Sequence, residues 1–213
     1  NLLLYSRGRE MSEKVNLYYA KSLLGSKDYY SAGYQFESFV KWYPYSKYAE
    51  EALFQAAYCK YLEAPDYTLD QTLTKQSMDA FQEYIEKYPN SERVAEANKL
   101  MDELRENLIE KDYQNAFNYY KTMQYHAACV SFKRFLNDYP DVSQKRENAM
   151  YYIVLAGYKY ANNSVEDKLK ERFEEVILDY ERYSVVFANM KDEKKRQELE
   201  NIYNESKIKY NGL

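Results

Sequence analysis

The only histidine, His126, and the cysteine three positions later, Cys129, are the residues best suited to nucleophilic chemistry. Side chains three positions apart lie on one face of a helix, so the two could share a face. A Cys-His nucleophile also needs a third group that orients the histidine. A free cysteine is more often a small buried packing residue, and that interpretation is favoured here. The pair therefore gives no support for an enzyme.

Other kinds of chemistry lack their sequence patterns. There is no glycine-rich phosphate loop and no His, Cys or Asp cluster with metal-ligand spacing. The net charge is −4 with both signs interspersed and no basic stripe, so we expect no nucleic-acid partner. No apolar run approaches the ~20 residues that span a bilayer. We expect no cofactor, no metal and no enzymatic activity, and a function in binding.

The second cysteine, Cys59, lies seventy positions before Cys129, and both have apolar helical surroundings. Two buried free thiols are the favoured interpretation, and a disulfide remains the alternative. The cysteines therefore do not fix the cellular compartment.

An aromatic pattern that ends in Tyr-Pro occurs three times and predicts the architecture. In each copy one aromatic side chain lies eight residues before the proline and another lies five before it. The copies are Phe36 and Phe39 before Pro44, Phe81 and Tyr84 before Pro89, and Phe132 and Phe135 before Pro140. A fourth copy, Phe173 with Val176, has Glu181 in place of proline. Such self-similarity indicates a repeat protein, and each proline should end a helix.

The pattern fits the second helix of a 34-residue tetratricopeptide (TPR) unit. Small residues that let paired helices approach then fall at Ala20, Ala32, Ala116, Ala128 and Gly157. The sequence predicts an all-α fold, an array of TPR helix pairs wound as a right-handed superhelix. We expect one array over residues 12–213, with a capping helix at about 192–210. The pairs are expected at about 12–45, 46–90, 91–142 and 143–183.

Two further features concern the ends and loops of these elements. Residues 1–11 are interpreted as the remaining helix of a truncated first repeat. The loop before the helix near Asp70 and Gln71 is about eight residues longer than a plain unit allows, and long loops often carry function. Ser164 is predicted to cap the helix that begins near Val165.

The concave face of such an array is lined by the first helix of each pair. The residues predicted to face it are Leu17, Lys21, Leu24, Tyr58, Tyr61, Tyr113, Phe117 and Tyr120. Aromatic walls with a few charges suit an extended peptide, because rings supply contact area at low entropy cost. The alternative is that several of these rings pack within the array.

Several segments in order resemble the BamD family, lipoproteins of the outer-membrane β-barrel assembly machinery. They are residues 67–75, FQEYIEKYPNS at 81–91, residues 95–105, AFNYY at 116–120 and residues 137–141. The resemblance runs from about Val15 to Tyr180. It implies a TPR scaffold at the periplasmic face of the outer membrane of a Gram-negative bacterium. The family's lipid anchor on an N-terminal cysteine is absent from this chain, and it would be the only contact with the membrane.

The resemblance also implies partners. They are unfolded outer-membrane proteins, the periplasmic domains of a BamA-like barrel subunit and other lipoproteins of the complex. The substrate-facing residues would be Tyr18, Tyr58, Tyr61, Tyr67, Asp70 and Gln71. The docking residues would be Tyr125, Arg134 and Arg146. The alternative is a soluble TPR adaptor that binds a client peptide or coordinates cell-envelope synthesis.

Overall fold

The computed structural model describes residues 10–213, apart from the side chains at 10, 143 and 144. Within this part of the chain 81% of residues are helical and there is no strand, so the predicted all-α helical-repeat class is confirmed. The nine helices of the described part are α1 (Glu10–Gly25), α2 (Tyr29–Trp42), α3 (Ala49–Glu63), α4 (Thr72–Lys87), α5 (Val94–Lys121), α6 (Tyr125–Asp138), α7 (Ser143–Asn162), α8 (Glu166–Ala188) and α9 (Glu193–Gly212).

The chain divides into two compact units, the first ending at Leu108 and the second beginning at Ile109, inside α5. In the first unit one buried cluster joins α1, α2 and α3, and another joins α3, α4 and the first half of α5. In the second unit one cluster joins the second half of α5 with α6 to α9. The single array and the pair boundaries stay predictions. The helix proposed for residues 1–11 falls almost entirely outside the described residues.

The repeat positions occupy the helix seams. The small and aromatic residues of the pattern are buried in the cores of the two units: Ala20, Ala32, Phe36, Phe39, Phe81, Ala116, Ala128, Phe132, Phe135 and Phe173. Gly157 marks a close approach of α7 to α8, since a Cβ there would lie 3.3 Å from Cγ2 of Val176. Pro44, Pro89 and Pro140 are exposed at the helix ends.

The prolines end the helices that precede them, as predicted. Helices α2, α4 and α6 stop one residue before the tyrosine of each Tyr-Pro. Each of these tyrosines has φ between −127° and −130°, outside the helical region, and its N–H donates to the carbonyl four residues earlier. In the fourth copy, Glu181 can donate its N–H, and α8 continues to Ala188. Sequence therefore sets the length of these helices.

The long loop of the second repeat leaves the helix contacts around it unchanged. Ser46 Oγ donates to Glu13 Oε2 at 2.6 Å, across 33 residues. The equivalent serine in the next copy, Ser91, donates to Glu50 Oε1 at 2.5 Å, across 41 residues. The two separations differ by eight, the length of the predicted insertion, so the repeat that contains the inserted loop keeps the contact made in the repeat before it.

The predicted cap at Ser164 is wrong. The N-cap position of α8 is Val165, whose side chain makes no capping hydrogen bond. Ser164 Oγ instead donates to the Tyr160 carbonyl at 2.6 Å and accepts from the Arg172 guanidinium. The carbonyls at the end of α7 lack partners within their own helix, and one of them takes this hydroxyl. None of the helices between residues 10 and 213 is both long and apolar enough to cross a membrane.

Candidate protein-binding surfaces

An aromatic row lies along α3 in the first unit. Phe54, Tyr58 and Tyr61 follow a spacing of four and three, which aligns them on one helix face. Neighbouring rings are nearly parallel, with centroids 6.4 Å apart for Phe54 and Tyr58 and 5.8 Å apart for Tyr58 and Tyr61. Phe54 is buried against Phe81 and Tyr84, whereas Tyr58 and Tyr61 are half-exposed. The row therefore has a fixed inner end and an accessible outer end.

The outer end of this row borders a cleft of about 370 Å³ between α3 and α5. Tyr61 Oη donates to Glu103 Oε2 at 2.5 Å. This hydrogen bond, followed by burial, raises the pKa of Tyr61 to about 12. Glu103 also lies 3.9 Å from Lys99 Nζ. The phenol is held by protein groups, so it is the ring of Tyr61 that a ligand could contact.

The loop between α3 and α4 is tied together by Gln71, which corrects its predicted role. Gln71 Nε2 donates to the carbonyls of Asp66 at 2.9 Å and Leu69 at 3.0 Å. Its Oε1 accepts from Thr74 Oγ1 at 2.8 Å, and its side chain is only 5% exposed. Loop carbonyls removed from water need donors, and Gln71 supplies two. It is a structural residue and does not face a substrate.

Other predicted substrate-facing residues have mixed environments. Asp70 is exposed, and its Oδ1 accepts from the Thr72 N–H at 2.9 Å, at the start of α4. Tyr67 is half-exposed in the loop, and Tyr18 is 66% exposed on α1. The pair that the structure brings into direct ring contact is Tyr58 with Tyr61.

Of the three residues of α1 predicted to line the groove, Leu17 is buried, and Lys21 and Leu24 are only partly exposed. Leu17 is only 3% exposed and belongs to the buried cluster of α1, α2 and α3, so it does not line an open groove. Lys21 Nζ pairs with Glu51 Oε1 at 2.7 Å. Leu24 is half-buried against the same cluster. The helix face that was assigned to a ligand is here largely a packing face.

The two arginines predicted for docking in the second unit, Arg146 and Arg134, make different contacts. Arg146 Nη1 donates to the carbonyls of Leu136 at 2.5 Å and Tyr139 at 3.2 Å, so it closes the end of α6. Nη1 of Arg146 thus satisfies carbonyls left unpaired where α6 ends, while its assignment as a docking residue stays a prediction. Arg134 is exposed and pairs with Asp138 at 3.2 Å.

Arg134 also borders a polar cleft of about 600 Å³ between α5 and α6. Two asparagines, Asn115 and Asn118, line this cleft three positions apart on α5, with Tyr119 beside them. Sequence reasoning missed this cleft, although amides at a spacing of three were a usable signal. Amide side chains both donate and accept, so the cleft suits the polar groups of a polypeptide.

The aromatic residues of the second unit form a packed cluster. Tyr113 meets Phe132 edge-on at 5.7 Å, and Phe117 and Tyr120 contact Tyr152 at 5.1 and 5.0 Å. This is the alternative in which rings pack within the array. Tyr125, predicted for docking, is half-buried against Tyr120 at 5.8 Å.

The possible nucleophile pair is not assembled as one. The His126 ring lies 5.0 Å from Tyr160, while Cys129 Sγ donates to the Ile153 carbonyl at 3.5 Å. Burial raises the pKa of Cys129 and of Cys59 to about 12, and both are free thiols. Neither thiol is ionised near neutral pH. Within the described part of the chain no group of three or more His, Cys, Asp or Glu side chains is placed to hold a metal ion.

Comparison with known proteins adds two findings. A family model described as "YfiO: Outer membrane lipoprotein" matches residues 3–172. The outer membrane protein assembly factor BamD of Caulobacter vibrioides is 28% identical over 120 residues. That match covers 56% of this chain and 39% of the relative, so the chain spans well under two thirds of the relative's length.

Proposed function

Because the chain belongs to the YfiO family of outer membrane lipoproteins, we propose that it is a non-enzymatic scaffold for outer-membrane protein assembly. The family match over residues 3–172 carries this proposal. The assembly role named for the Caulobacter relative supports it. The scaffold would work at the periplasmic face of the outer membrane, with a lipid anchor in the full-length protein.

The first unit would bind extended segments of unfolded outer-membrane proteins. The half-exposed ring of Tyr58 stacks on Phe54, and Tyr61 stacks on Tyr58 and is hydrogen-bonded to Glu103, so little side-chain freedom is lost on binding. Such rings offer broad contact to apolar side chains of many sequences. Tyr67 lies in the loop that follows α3, and Tyr18 lies on α1. Loose sequence requirements fit a scaffold whose substrates differ.

The second unit would dock on the periplasmic domains of a BamA-like barrel subunit, in contact with other lipoproteins of the complex. Arg134 is the predicted docking residue best placed for this, because it is exposed and borders the polar cleft. Tyr125 offers a half-exposed ring on the same helix. Arg146 would support this surface by holding the end of α6 in place.

The substrate-binding proposal is tested by anisotropy with a labelled barrel protein diluted from urea. Tyr67→Ala should weaken binding about five- to tenfold, as expected when one aromatic contact of about 1 kcal/mol or slightly more is lost. The melting temperature should stay nearly unchanged. Tyr30→Ala is the control, since Tyr30 is an exposed tyrosine on α2. Equal binding by wild type and Tyr67→Ala would remove Tyr67 from the substrate surface.

The docking proposal is tested by co-purification with the barrel subunit from cells that express both. Arg134→Ala should reduce the amount of barrel subunit recovered. Arg182→Ala is a matched control, because Arg182 is also an exposed arginine of the second unit paired with an aspartate three or four residues away. Recovery that is no better than from cells lacking this protein would refute the docking role.

A further inference from the structure

In the second unit, basic side chains alternate with aromatic rings along one edge. The edge is formed where α5 turns into α6 and where α7 turns into α8. We name this edge the cation–ring strip. Its cations are Lys121, Lys159 and Arg172, its imidazole is His126, and its rings are Phe117, Tyr120, Tyr125 and Tyr160.

One group of contacts in the strip joins α5, α6 and α7. Lys121 Nζ lies 4.5 Å from the centre of the Phe117 ring. Lys159 Nζ lies between two rings, 5.0 Å from Tyr120 and 5.7 Å from Tyr125. Such distances are within the ~6 Å range of favourable cation–ring attraction.

The far end of the strip is built around Tyr160. The His126 ring lies 5.0 Å from it, and the Arg172 guanidinium lies 4.0 Å from its centre. Arg172 also donates to Ser164 Oγ, which fixes the guanidinium in place. Four helices therefore contribute to one ordered row of cations and rings.

Within the described part of the chain, none of the three strip cations has a carboxylate oxygen within the 4.0 Å of an ion pair. Six other basic residues of this unit form ion pairs with carboxylates, whereas the direct contacts of Lys121, Lys159 and Arg172 are with rings or hydroxyl groups. Glu171 acts on Arg172 only from beyond ion-pair distance. Glu198, a carboxylate that acts on Lys159, accepts a hydrogen bond from Tyr151. A hydrogen bond with Tyr120 raises the pKa of Lys159, which keeps this amine charged. A ring attracts a cation but leaves its charge available to an anion.

We propose that the cation–ring strip binds an acidic, extended segment of a protein partner in outer-membrane protein assembly. In an extended segment, side chains two residues apart lie on one side, ~6.6 Å apart, so alternate carboxylates can follow a row of cations. The rings offer contact to the carbon atoms between those carboxylates. Because the cations are already ordered, little side-chain entropy is lost on binding.

A protein segment fits this strip better than an anionic membrane surface does. The whole chain carries a net charge of −4, which opposes approach to a broad negative surface. Lys159 and Arg172 are half-buried, whereas membrane-binding lysines usually extend freely into solvent. A short acidic segment meets the local positive charge and avoids the rest of the surface.

The test uses the full chain and a labelled twelve-residue peptide with Asp or Glu at alternate positions and two Phe residues. Its matched control has Asn or Gln at the acidic positions. The acidic peptide should bind at least tenfold more tightly than its amide control, and its binding should weaken as salt rises. Equal binding of the two peptides would overturn the proposal.

Substitutions of the strip cations test whether the acidic peptide binds at the cation–ring strip. Lys159→Gln should weaken acidic-peptide binding about threefold, and Lys121→Gln with Arg172→Gln about tenfold, as expected when one or two partly exposed charge contacts are lost. Lys207→Gln is the matched control, because Lys207 also lies over a ring of this unit, at 4.8 Å from Tyr203. If Lys159→Gln lowers the melting temperature, Lys121→Gln alone is used for the test, because Lys121 is exposed. Unchanged binding in the strip variants would overturn the proposal.

Binding to phosphatidylglycerol vesicles distinguishes an acidic protein segment from an anionic membrane surface as the ligand of the strip. Strip-dependent binding of vesicles without binding of the acidic peptide would overturn the proposal in favour of lipid. Only the identification of the partner as a protein of outer-membrane protein assembly rests on the proposed function. Peptide binding without co-purified barrel subunit would refute the docking role alone. Normal co-purification with strip variants that still bind the acidic peptide would refute the strip alone.

Discussion

Replacing Phe132 by alanine tests the repeat architecture most directly. The Phe132 side chain is 0% exposed and lies on α6. Its ring stacks on Tyr152 of α7 at 5.5 Å and meets Tyr113 of α5 edge-on at 5.7 Å. It therefore fills a space bounded by three helices. Removing it should lower the free energy of unfolding by ~3–5 kcal/mol, because a buried Phe→Ala change leaves a cavity as well as losing burial.

Reversible urea unfolding, followed by circular dichroism, measures this change. For a chain of about this length each kcal/mol lowers the melting temperature by ~2–4 °C, so a decrease of ~6–20 °C should accompany it. Val130→Ala is the matched control on the same helix, because Val130 is 55% exposed. It should change the free energy of unfolding by less than ~0.5 kcal/mol.

A loss below ~1 kcal/mol for Phe132→Ala would contradict the architecture. The ring could then not be the filler of the seam among α5, α6 and α7. Equal losses for Phe132→Ala and Val130→Ala would contradict it as well, because the two side chains would then share one environment.

Three further predictions follow from helix length, thiol burial and one ion pair. Glu181→Pro should lower the free energy of unfolding by ~3 kcal/mol, because α8 continues through this residue. Glu181→Ala is the control, since it removes only the hydrogen bond from Tyr203. Urea unfolding measures the stability of both variants. Cys59 and Cys129 should react with a thiol reagent at pH 8 only after denaturation, because burial raises both pKa values to about 12; fast labelling of the native protein would contradict this. The hydrogen bond from Lys145 lowers the pKa of Glu110 in the folded protein. The difference in free energy of unfolding between wild type and Glu110→Gln should therefore be complete above the ordinary pKa of a glutamate and disappear as the pH falls through the lowered pKa of Glu110. A difference that persists in strong acid would contradict this role of the ion pair.

The helix ends at each Tyr-Pro were predictable because their signals are local. Proline acts on its own residue and on the one before it, so Pro44 and Pro140 mark helix ends without knowledge of the fold. The Phe and Ala positions were predictable because the same spacing recurs.

The binding residues were less predictable because their environment depends on distant partners. Gln71 and Arg146 are polar and were assigned to surfaces, yet both satisfy carbonyls left unpaired by a loop or a helix end. Leu17 was placed on the open face, but the packing of α1 against α2 buries it. The cation–ring strip joins residues more than fifty positions apart, a distance at which spacing carries no signal.

The inserted loop shows how a repeat scaffold gains a surface without losing its packing. The Ser46–Glu13 contact of the first repeat recurs as Ser91–Glu50 across the insertion, so the extra residues do not displace this contact of the helix pair. Gln71 satisfies two loop carbonyls from within, so the loop needs no outside partner to hold those groups. A substitution at Tyr67 should therefore act on binding, whereas one at Gln71 should act on the loop itself.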